Sequence, residues 1–233
     1  NVEKLEQPVA VHKAQAMCYG YIVAMEENLS SIGIQMTYAN LDTEEIKRFR
    51  EVFSIEDLSD WYQKLLDEYH KWLSYSLKWK KERNESLQNL EFPFPYREGQ
   101  RKMVGSVYHS ISAGRQIFIQ APTGVGKTMS TIFPAVRAVG EGKGETIFYL
   151  TAKTITRTVA EEAFAVLQEK GMKYKVVTIT AKDKLCFMEE TKCNPAHCPY
   201  AKGHFDRVND AVYELWTSSH VYDRQTILGQ AEK

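Results

Sequence analysis

Residues 121–128 read A-P-T-G-V-G-K-T and match the phosphate-binding pattern [AG]-x-x-x-x-G-K-[ST]. In this pattern the glycines let backbone N–H groups turn toward phosphate oxygens, the lysine neutralises the β- and γ-phosphates, and the next hydroxyl binds Mg²⁺. A chance match on a surface loop is the alternative, but the motif lies between a strand-like and a helical pattern, as it should. We therefore predict an ATP and Mg²⁺ site. Its predicted residues are Thr123, Gly124, Gly126, Lys127 and Thr128.

Three of the four cysteines, Cys186, Cys193 and Cys198, lie in one short segment with the spacing C-x6-C-x4-C. Clustered thiols suit a metal or cluster site in a reducing compartment better than a disulfide framework. Such sites normally need four ligands, so one is missing. From the residues alone two alternatives stay open: His197 and His204 complete a zinc site, or the cysteines bind nothing.

Composition places the chain among soluble globular proteins. It has 233 residues, of which 43% are hydrophobic and 26% charged, enough for one or two domains. Since 30 Lys+Arg balance 30 Asp+Glu, nucleic-acid binding would need a local basic surface. The N-terminal residues lack the apolar region of a secretory signal and no run is long enough to span a bilayer, which predicts a cytoplasmic protein. Because the chain starts at Asn1, we expect it to be a piece of a longer polypeptide.

The residues around the phosphate loop predict alternating helices and strands. Apolar periodicity predicts helices at 100–112, 127–139 and 155–169, and strands at 116–120, 145–150 and 175–180. This alternation indicates an α/β fold with a mainly parallel sheet. Upstream, the two prolines of L-E-F-P-F-P-Y cannot continue a helix, so a domain boundary is predicted near residues 88–95.

The first part of the chain is predicted to be mainly helical. The predicted elements are a helix at 10–27, a strand at 32–38, a short helix at 40–53 and a long helix at 54–83. Ser54 and Asp57 have capping-box-like spacing at the start of the long helix. Cys18 lies in the apolar stripe of the first helix and is predicted to be a core residue.

The phosphate loop and the strand and helix after it, I-F-Y-L-T-A-K-T-I-T-R-T-V-A-E-E-A, resemble motifs I and Ia of superfamily-two helicases. Upstream, Y-R-E-G-Q-R-K-M-V resembles the segment that leads into motif I in the DinG/XPD group. The resemblance implies a RecA-like fold with Arg97 and Gln100 near the nucleotide. It also implies that Thr151, Lys153 and Arg157 lie near a DNA backbone, although Lys153 and Arg157 could simply be a solvated helix start.

In the DinG/XPD group an iron–sulfur domain held by four cysteines interrupts the first motor domain after motif Ia. Cys186, Cys193 and Cys198 occupy the corresponding position and resemble the first three ligands. The resemblance therefore implies a [4Fe–4S] cluster, and we expect the fourth ligand beyond Lys233.

Gln15 and Tyr19, four residues apart on the first helix, resemble the Q-x-x-x-Y element of RecB-type PD-(D/E)XK nucleases. A chance pair on a helix edge is the alternative. V-E-K at residues 2–4 is a partial match to E-x-K, and we expect the nuclease's metal ligands upstream of Asn1.

The resemblances together imply a P-loop (RecA-like) parallel sheet with a partial iron–sulfur insertion, preceded by a mainly helical remnant of a nuclease-like domain. The implied domains are 1–90 (nuclease-like part and connecting helix), 91–182 (start of motor domain 1) and 183–233 (partial iron–sulfur domain).

The implied activity of the parent protein is that of an ATP-dependent DNA helicase involved in DNA repair, acting on single-stranded or forked DNA with no membrane partner. We expect its acidic D-E-A-H-like motif and its second motor domain to lie in the remainder of the polypeptide, so this chain alone should not turn over ATP. The alternative is a non-enzymatic, zinc-bearing nucleotide- or DNA-binding module.

Overall fold

A computed structural model describes residues 5–152 and 154–233. The chain divides into two compact units, Asn1–Ser74 and Tyr75–Lys233. The division falls inside a long helix, upstream of the predicted domain boundary at residue 90. Both units contain helices and paired strands, so the mixed α/β composition is confirmed.

The first unit is a helix packed on a β-hairpin, followed by the start of a second helix. Its elements are α1 (Ala10–Glu26), β1 (Ser31–Ala39), β2 (Ile46–Ser54) and the beginning of α2 (Ile55–Gln88). The two strands pair antiparallel over their whole length, from Ser31 opposite Ser54 to Ala39 opposite Ile46. This unit is therefore less helical than predicted.

The predicted short helix at 40–53 is wrong, because most of these residues form β2. The Asn40 side-chain oxygen accepts the backbone N–H of Asp42 at 3.0 Å, and Glu44 has a φ of 59°. Both features make a turn rather than a first helical turn. In β2, Phe53 packs on the core of the unit, whereas Ile46 and Val52 are exposed.

Close packing of α1, β1 and the start of α2 forms the core of the first unit. Met17, Ile34 and Leu58 are its buried centre. A Cβ at Gly20 would lie 2.6 Å from Cδ1 of Ile34, so this glycine permits the close approach of helix and strand. Cys18, predicted to be a core residue, is only half-buried. The side of α1 that is buried is therefore narrower than the predicted apolar stripe.

Helix α2 is 34 residues long, which corresponds to about 51 Å. The predicted cap at its start is confirmed: the Asp57 N–H donates to Ser54 Oγ at 3.0 Å, and that hydroxyl donates to the Asp57 carboxylate at 2.7 Å. The helix continues to Gln88, just before the proline-rich segment. Its last turns, from Tyr75 onward, belong to the second unit.

The second unit contains five further helices and a short parallel strand pair in its described residues. Its elements are α3 (Gln100–Ser112), α4 (Lys127–Gly140), α5 (Thr154–Glu169), β3 (Val176–Val177), α6 (His204–Ser218), β4 (Val221–Tyr222) and α7 (Arg224–Ala231), with a 3-10 turn at Lys182–Leu185. Helices α3, α4 and α5 agree with the predicted helices to within one residue. The apolar periodicity of the sequence therefore located all three helices of this region.

The end of α2 is fixed to α4. Arg137 donates to the carbonyls of Leu87 and Leu90, both at 3.3 Å, and to that of Gln88. These carbonyls lie at and just beyond the C-terminus of α2, where the helix itself provides no donors. A Cβ at Gly140 would lie 2.5 Å from the Leu87 Cβ, so glycine lets the two helix ends touch. The core of the unit therefore includes the end of α2 and one side of α4.

The predicted parallel sheet is not confirmed. Residues 116–120 and 145–150 form no strands, and of 175–180 only β3 does, paired parallel with β4. Phe118 and Phe148, within the two unpaired segments, are 95% and 77% exposed. A strand requires a hydrogen-bonded neighbour, and the described part of the chain places none beside these segments.

None of the helices in the described ranges has both the length and the apolar character needed to cross a bilayer.

Candidate nucleotide-binding site

The phosphate loop runs directly into α4. Gly124 and Gly126 have φ values of 84° and 79°, in the left-handed region that favours glycine. Gly126 is the N-cap residue of α4, and Lys127 is the first residue of the helix. The first N–H groups of a helix have no acceptor within it and carry partial positive charge, which suits phosphate oxygens.

The ammonium group of Lys127 points into the phosphate loop. Its Nζ donates to the carbonyls of Ala121 at 3.0 Å and Pro122 at 2.9 Å, and the side chain is exposed. A phosphate bound at the start of α4 would exchange these two neutral acceptors for anionic ones, which form stronger hydrogen bonds. Thr128 lies beside it in the first turn and is half-buried, whereas Thr123 is exposed at the loop tip.

Ser130 anchors the loop and was not singled out by the sequence. It is completely buried, and its Oγ donates to the Gly126 carbonyl at 2.9 Å. The Ser130 N–H donates to the same carbonyl at 3.1 Å. These two hydrogen bonds fix the junction between loop and helix.

Gln100 packs directly against the loop. It is only 4% exposed, and its Oε1 accepts the Arg97 N–H at 3.0 Å. Its Nε2 lies 2.6 Å from the position that a Cβ at Gly126 would take. Only glycine fits there without displacing the buried glutamine.

Arg97 also contacts the loop, because its guanidinium donates to the carbonyl of Gly124. The proline-rich segment positions it: Phe92 stacks on Tyr96 with ring centroids 4.3 Å apart and meets Phe133 of α4 edge-on at 5.3 Å. Arg97 and Gln100, the two upstream residues predicted to lie near the nucleotide, thus both contact the loop.

The residues predicted to contact DNA lie in a different part of the second unit. Lys153 lies outside the described residues. Thr151 and Arg157 line a groove of about 630 Å³ between the segments 145–151 and 174–179. The Arg157 Nε lies 3.5 Å from a carboxylate oxygen of Glu161, which also accepts the Thr178 hydroxyl at 2.7 Å. Glu161 therefore offsets part of the positive charge that Arg157 could offer a phosphate.

Ion pairs also occupy the far end of this groove. Lys80 and Arg83 donate to the Glu145 carboxylate at 2.7 and 3.4 Å and hold the pKa of that carboxyl below its usual value. Since Glu145 lines the groove and is mostly exposed, it keeps a negative charge there at neutral pH. The groove is thus lined by charges of both signs.

The three clustered cysteines differ in exposure and form no ligand set. Cys198 is 8% exposed, Cys186 is half-buried and Cys193 is exposed. Within residues 5–152 and 154–233, no three His, Cys, Asp or Glu side chains are grouped so that they could hold a metal ion. The residues as placed do not fit an iron–sulfur cluster or the zinc alternative, and both stay predictions from the sequence.

Gln15 and Tyr19 lie on the exposed side of α1, and Tyr19 is 62% exposed. The V-E-K residues at 2–4 lie outside the described residues. The relation to RecB-type nucleases therefore stays a prediction.

One run of the chain, D-E-Y-H at residues 67–70, matches the pattern D-E-x-H, but the location of the acidic motif outside the chain stays a prediction. The D-E-Y-H run lies inside α2 in the first unit, where Asp67 accepts the Gln63 side chain at 2.8 Å and Glu68 pairs with Lys71 at 2.6 Å. These carboxylates stabilise a helix and do not follow a strand, so they are not assigned to Mg²⁺.

Comparison with known proteins shows similarity to helicases, in agreement with a nucleotide-binding role of the phosphate loop. Residues 97–210 match the DEAD/DEAH box helicase family. Over 123 residues the chain is 28% identical to a protein of Methanocaldococcus jannaschii named "Probable ATP-dependent helicase". That stretch covers 51% of this chain and 18% of the archaeal protein, so the chain spans less than a fifth of that relative's length. No solved structure matches. The two similarities support the predicted relation to superfamily-two helicases.

Thiol reactivity tests the placement of the cysteines. Because Cys193 is exposed and Cys198 is almost fully buried, we expect a neutral disulfide reagent to modify Cys193 at least ten times faster than Cys198. Rates would be measured on single-cysteine variants after treatment with a chelator. Equal modification rates at Cys193 and Cys198 would contradict the placement.

A double-mutant cycle tests the contact between Gln100 and the loop. Gly126→Ala should destabilise the protein by about 1–2 kcal/mol for the left-handed backbone and by about 1–3 kcal/mol more for the contact with Gln100. In a Gln100→Ala background the second part should disappear. Urea unfolding measures both free energies, with Gly105→Ala, a site inside α3 with open space around it, as control. Equal costs of Gly126→Ala in both backgrounds would show that the contact does not exist.

Proposed function

We propose that this chain carries the nucleotide-binding part of an ATP-dependent DNA helicase. One observation carries the proposal: a glycine-bearing loop with two left-handed residues ends at the start of α4, where Lys127 points back into the loop. The match of residues 97–210 to DEAD/DEAH box helicases supports it, since the loop lies inside that match.

Each residue of the loop has a role in this proposal. The N–H groups of the first turn of α4 hold the phosphate oxygens, and Lys127 neutralises the β- and γ-phosphates. Thr128 offers its hydroxyl to Mg²⁺. Arg97 and Gln100 act on the loop itself, since one binds the Gly124 carbonyl and the other packs on Gly126. They would keep the loop in shape for the nucleotide.

DNA is the proposed substrate, single-stranded or forked, and the proposed subgroup is DinG/XPD. The groove that contains Thr151 and Arg157 is the proposed contact surface, with Lys153 between them in the sequence. The ion pair with Glu161 means that Arg157 must exchange a carboxylate for a phosphate when DNA binds. The proposed contact is therefore sensitive to salt.

The remainder of the polypeptide is the proposed source of the other motor parts. Residues 116–120 and 145–150 expose apolar side chains, as expected of strands whose neighbours lie elsewhere in the protein. The archaeal relative, of which the matched stretch is 18%, is also much longer than the match. We place the acidic motif and the second motor domain in that remainder.

Two further parts of the hypothesis, the iron–sulfur cluster and the nuclease-like first unit, rest on the sequence. The cysteines do not converge, so no chemical step is assigned to an iron–sulfur cluster. The nuclease-like assignment of the first unit rests on Gln15 and Tyr19, both exposed on α1, and we assign it no activity.

Nucleotide binding by Lys127→Ala tests the proposal. We expect isothermal titration calorimetry to show at least ten-fold weaker binding of ATP with Mg²⁺, because the cation at the phosphates is lost. The free energy of unfolding should change by less than about 0.5 kcal/mol, since the side chain is exposed.

Lys143→Ala is the matched control, since Lys143 is an exposed lysine in the turn after α4. It should leave the affinity unchanged. If Lys127→Ala binds ATP as tightly as the unmodified chain, the phosphate-loop assignment is wrong.

A further inference from the structure

The three clustered cysteines lie in an excursion that leaves and rejoins the second unit at one place. Residues 178–220, here called the cysteine excursion, start after β3 and end before β4, and these strands pair in parallel. The Val176 N–H donates to the His220 carbonyl at 2.8 Å, and the Thr178 N–H donates to that of Tyr222 at 3.0 Å. A pair of strands of two residues each is a weak closure, since isolated short strand pairs are marginally stable.

Lys175 reinforces that closure from the residue before β3. Its Nζ donates to the Ser219 carbonyl at 2.9 Å, to the Tyr222 hydroxyl at 2.7 Å, and to the Trp216 carbonyl. Ser219 is the C-cap of α6 and Trp216 lies in its last turn. Carbonyls at this end of a helix lack donors within the helix and carry partial negative charge. The lysine therefore caps α6 and holds its end beside β3.

Aromatic rings surround the Lys175 ammonium. Its Nζ lies 4.4 Å from the ring centroid of Trp79, 5.5 Å from that of Tyr75 and 5.4 Å from that of Tyr222. Such contacts attract a cation to the faces of the rings. Tyr75 also donates its hydroxyl to the Trp216 carbonyl at 3.1 Å and packs edge-on against the Trp216 ring at 4.5 Å. The last turns of α2 thus take part in the same cluster.

At neutral pH the protonation states of Lys175 and Tyr222 are those that their hydrogen bonds require. Burial lowers the pKa of Lys175 to about 8 and raises the pKa of Tyr222 to about 12. At pH 7 the lysine is therefore mostly charged and has three N–H donors for its three acceptors. The neutral Tyr222 hydroxyl accepts from the lysine and donates to the Ser219 carbonyl at 2.6 Å.

We propose that Lys175 is a positioning residue that docks the cysteine excursion on the second unit without help from a metal. None of its contacts involves Cys186, Cys193 or Cys198. The docked state therefore does not require a ligand on the thiols. This inference goes beyond the proposed function, because it holds whether or not the loop at Lys127 binds ATP.

Hydrogen exchange of the metal-free chain tests the proposal. Lys175→Met removes the charge and all three donors and keeps an unbranched side chain. We expect the amides of 213–222 to exchange at least ten times faster, while those of α4 are unchanged. Lys175→Arg, which keeps a cation and several donors, should restore part of the protection.

Two further variants complete the experiment. Lys173→Met is the matched control: the Lys173 side chain pairs with Glu82, the contacts of Lys175 with Trp216, Ser219 and Tyr222 remain, and exchange at 213–222 should be unchanged. The triple variant Cys186→Ser, Cys193→Ser, Cys198→Ser should also keep full protection there. The proposal is overturned if Lys175→Met exchanges like the unmodified chain. It is equally overturned if the triple cysteine variant loses protection at 213–222. The result for the triple variant can be interpreted even if Lys175→Met does not fold.

Discussion

Packing on its inner side and at its far end holds α4 in place in the second unit. Ile132 and Val136 on its inner side are almost completely buried, and its far end is fixed by contact with Leu87. A helix held in this way cannot shift along its axis without opening the core. Its first turn is therefore fixed at the surface, and the phosphate loop that ends there has a defined position.

Helices α3, α4 and α5 of the second unit could be predicted from the sequence, whereas α6 and α7 were not predicted and the predicted parallel sheet is not confirmed. Helices α3 to α5 satisfy their backbone hydrogen bonds locally, so apolar periodicity was sufficient to locate them. Residues 116–120 and 145–150 have strand-like sequences, but strands depend on neighbours that periodicity does not reveal. The hairpin was missed for a related reason: the acidic residues before Ile46 look like a helix start, whereas the side chain of Asn40 makes them a turn.

In the candidate site, too, residues whose contacts are close in the sequence could be predicted, and residues whose partners are distant in the sequence could not. Lys127, Gly124 and Gly126 follow from one short pattern, because their geometry is set within a few residues. Ser130 could have been found four residues beyond Gly126, as a small polar residue on the buried side of α4. Glu161 and Lys175 could not be found in this way, since their partners Thr178 and Tyr222 lie 17 and 47 residues away along the chain. The role of Lys175 is visible only in the folded chain, where the end of α6 lies beside β3.

Amide chemical shifts, recorded while ATP and Mg²⁺ are added to the isotopically labelled chain, show which backbone N–H groups bind the phosphates. The largest changes should occur at Gly124, Gly126, Lys127 and Thr128, because their N–H groups meet the phosphates. Changes concentrated instead in the groove at 145–151 and 174–179, with the loop unaffected, would contradict the phosphate-loop assignment.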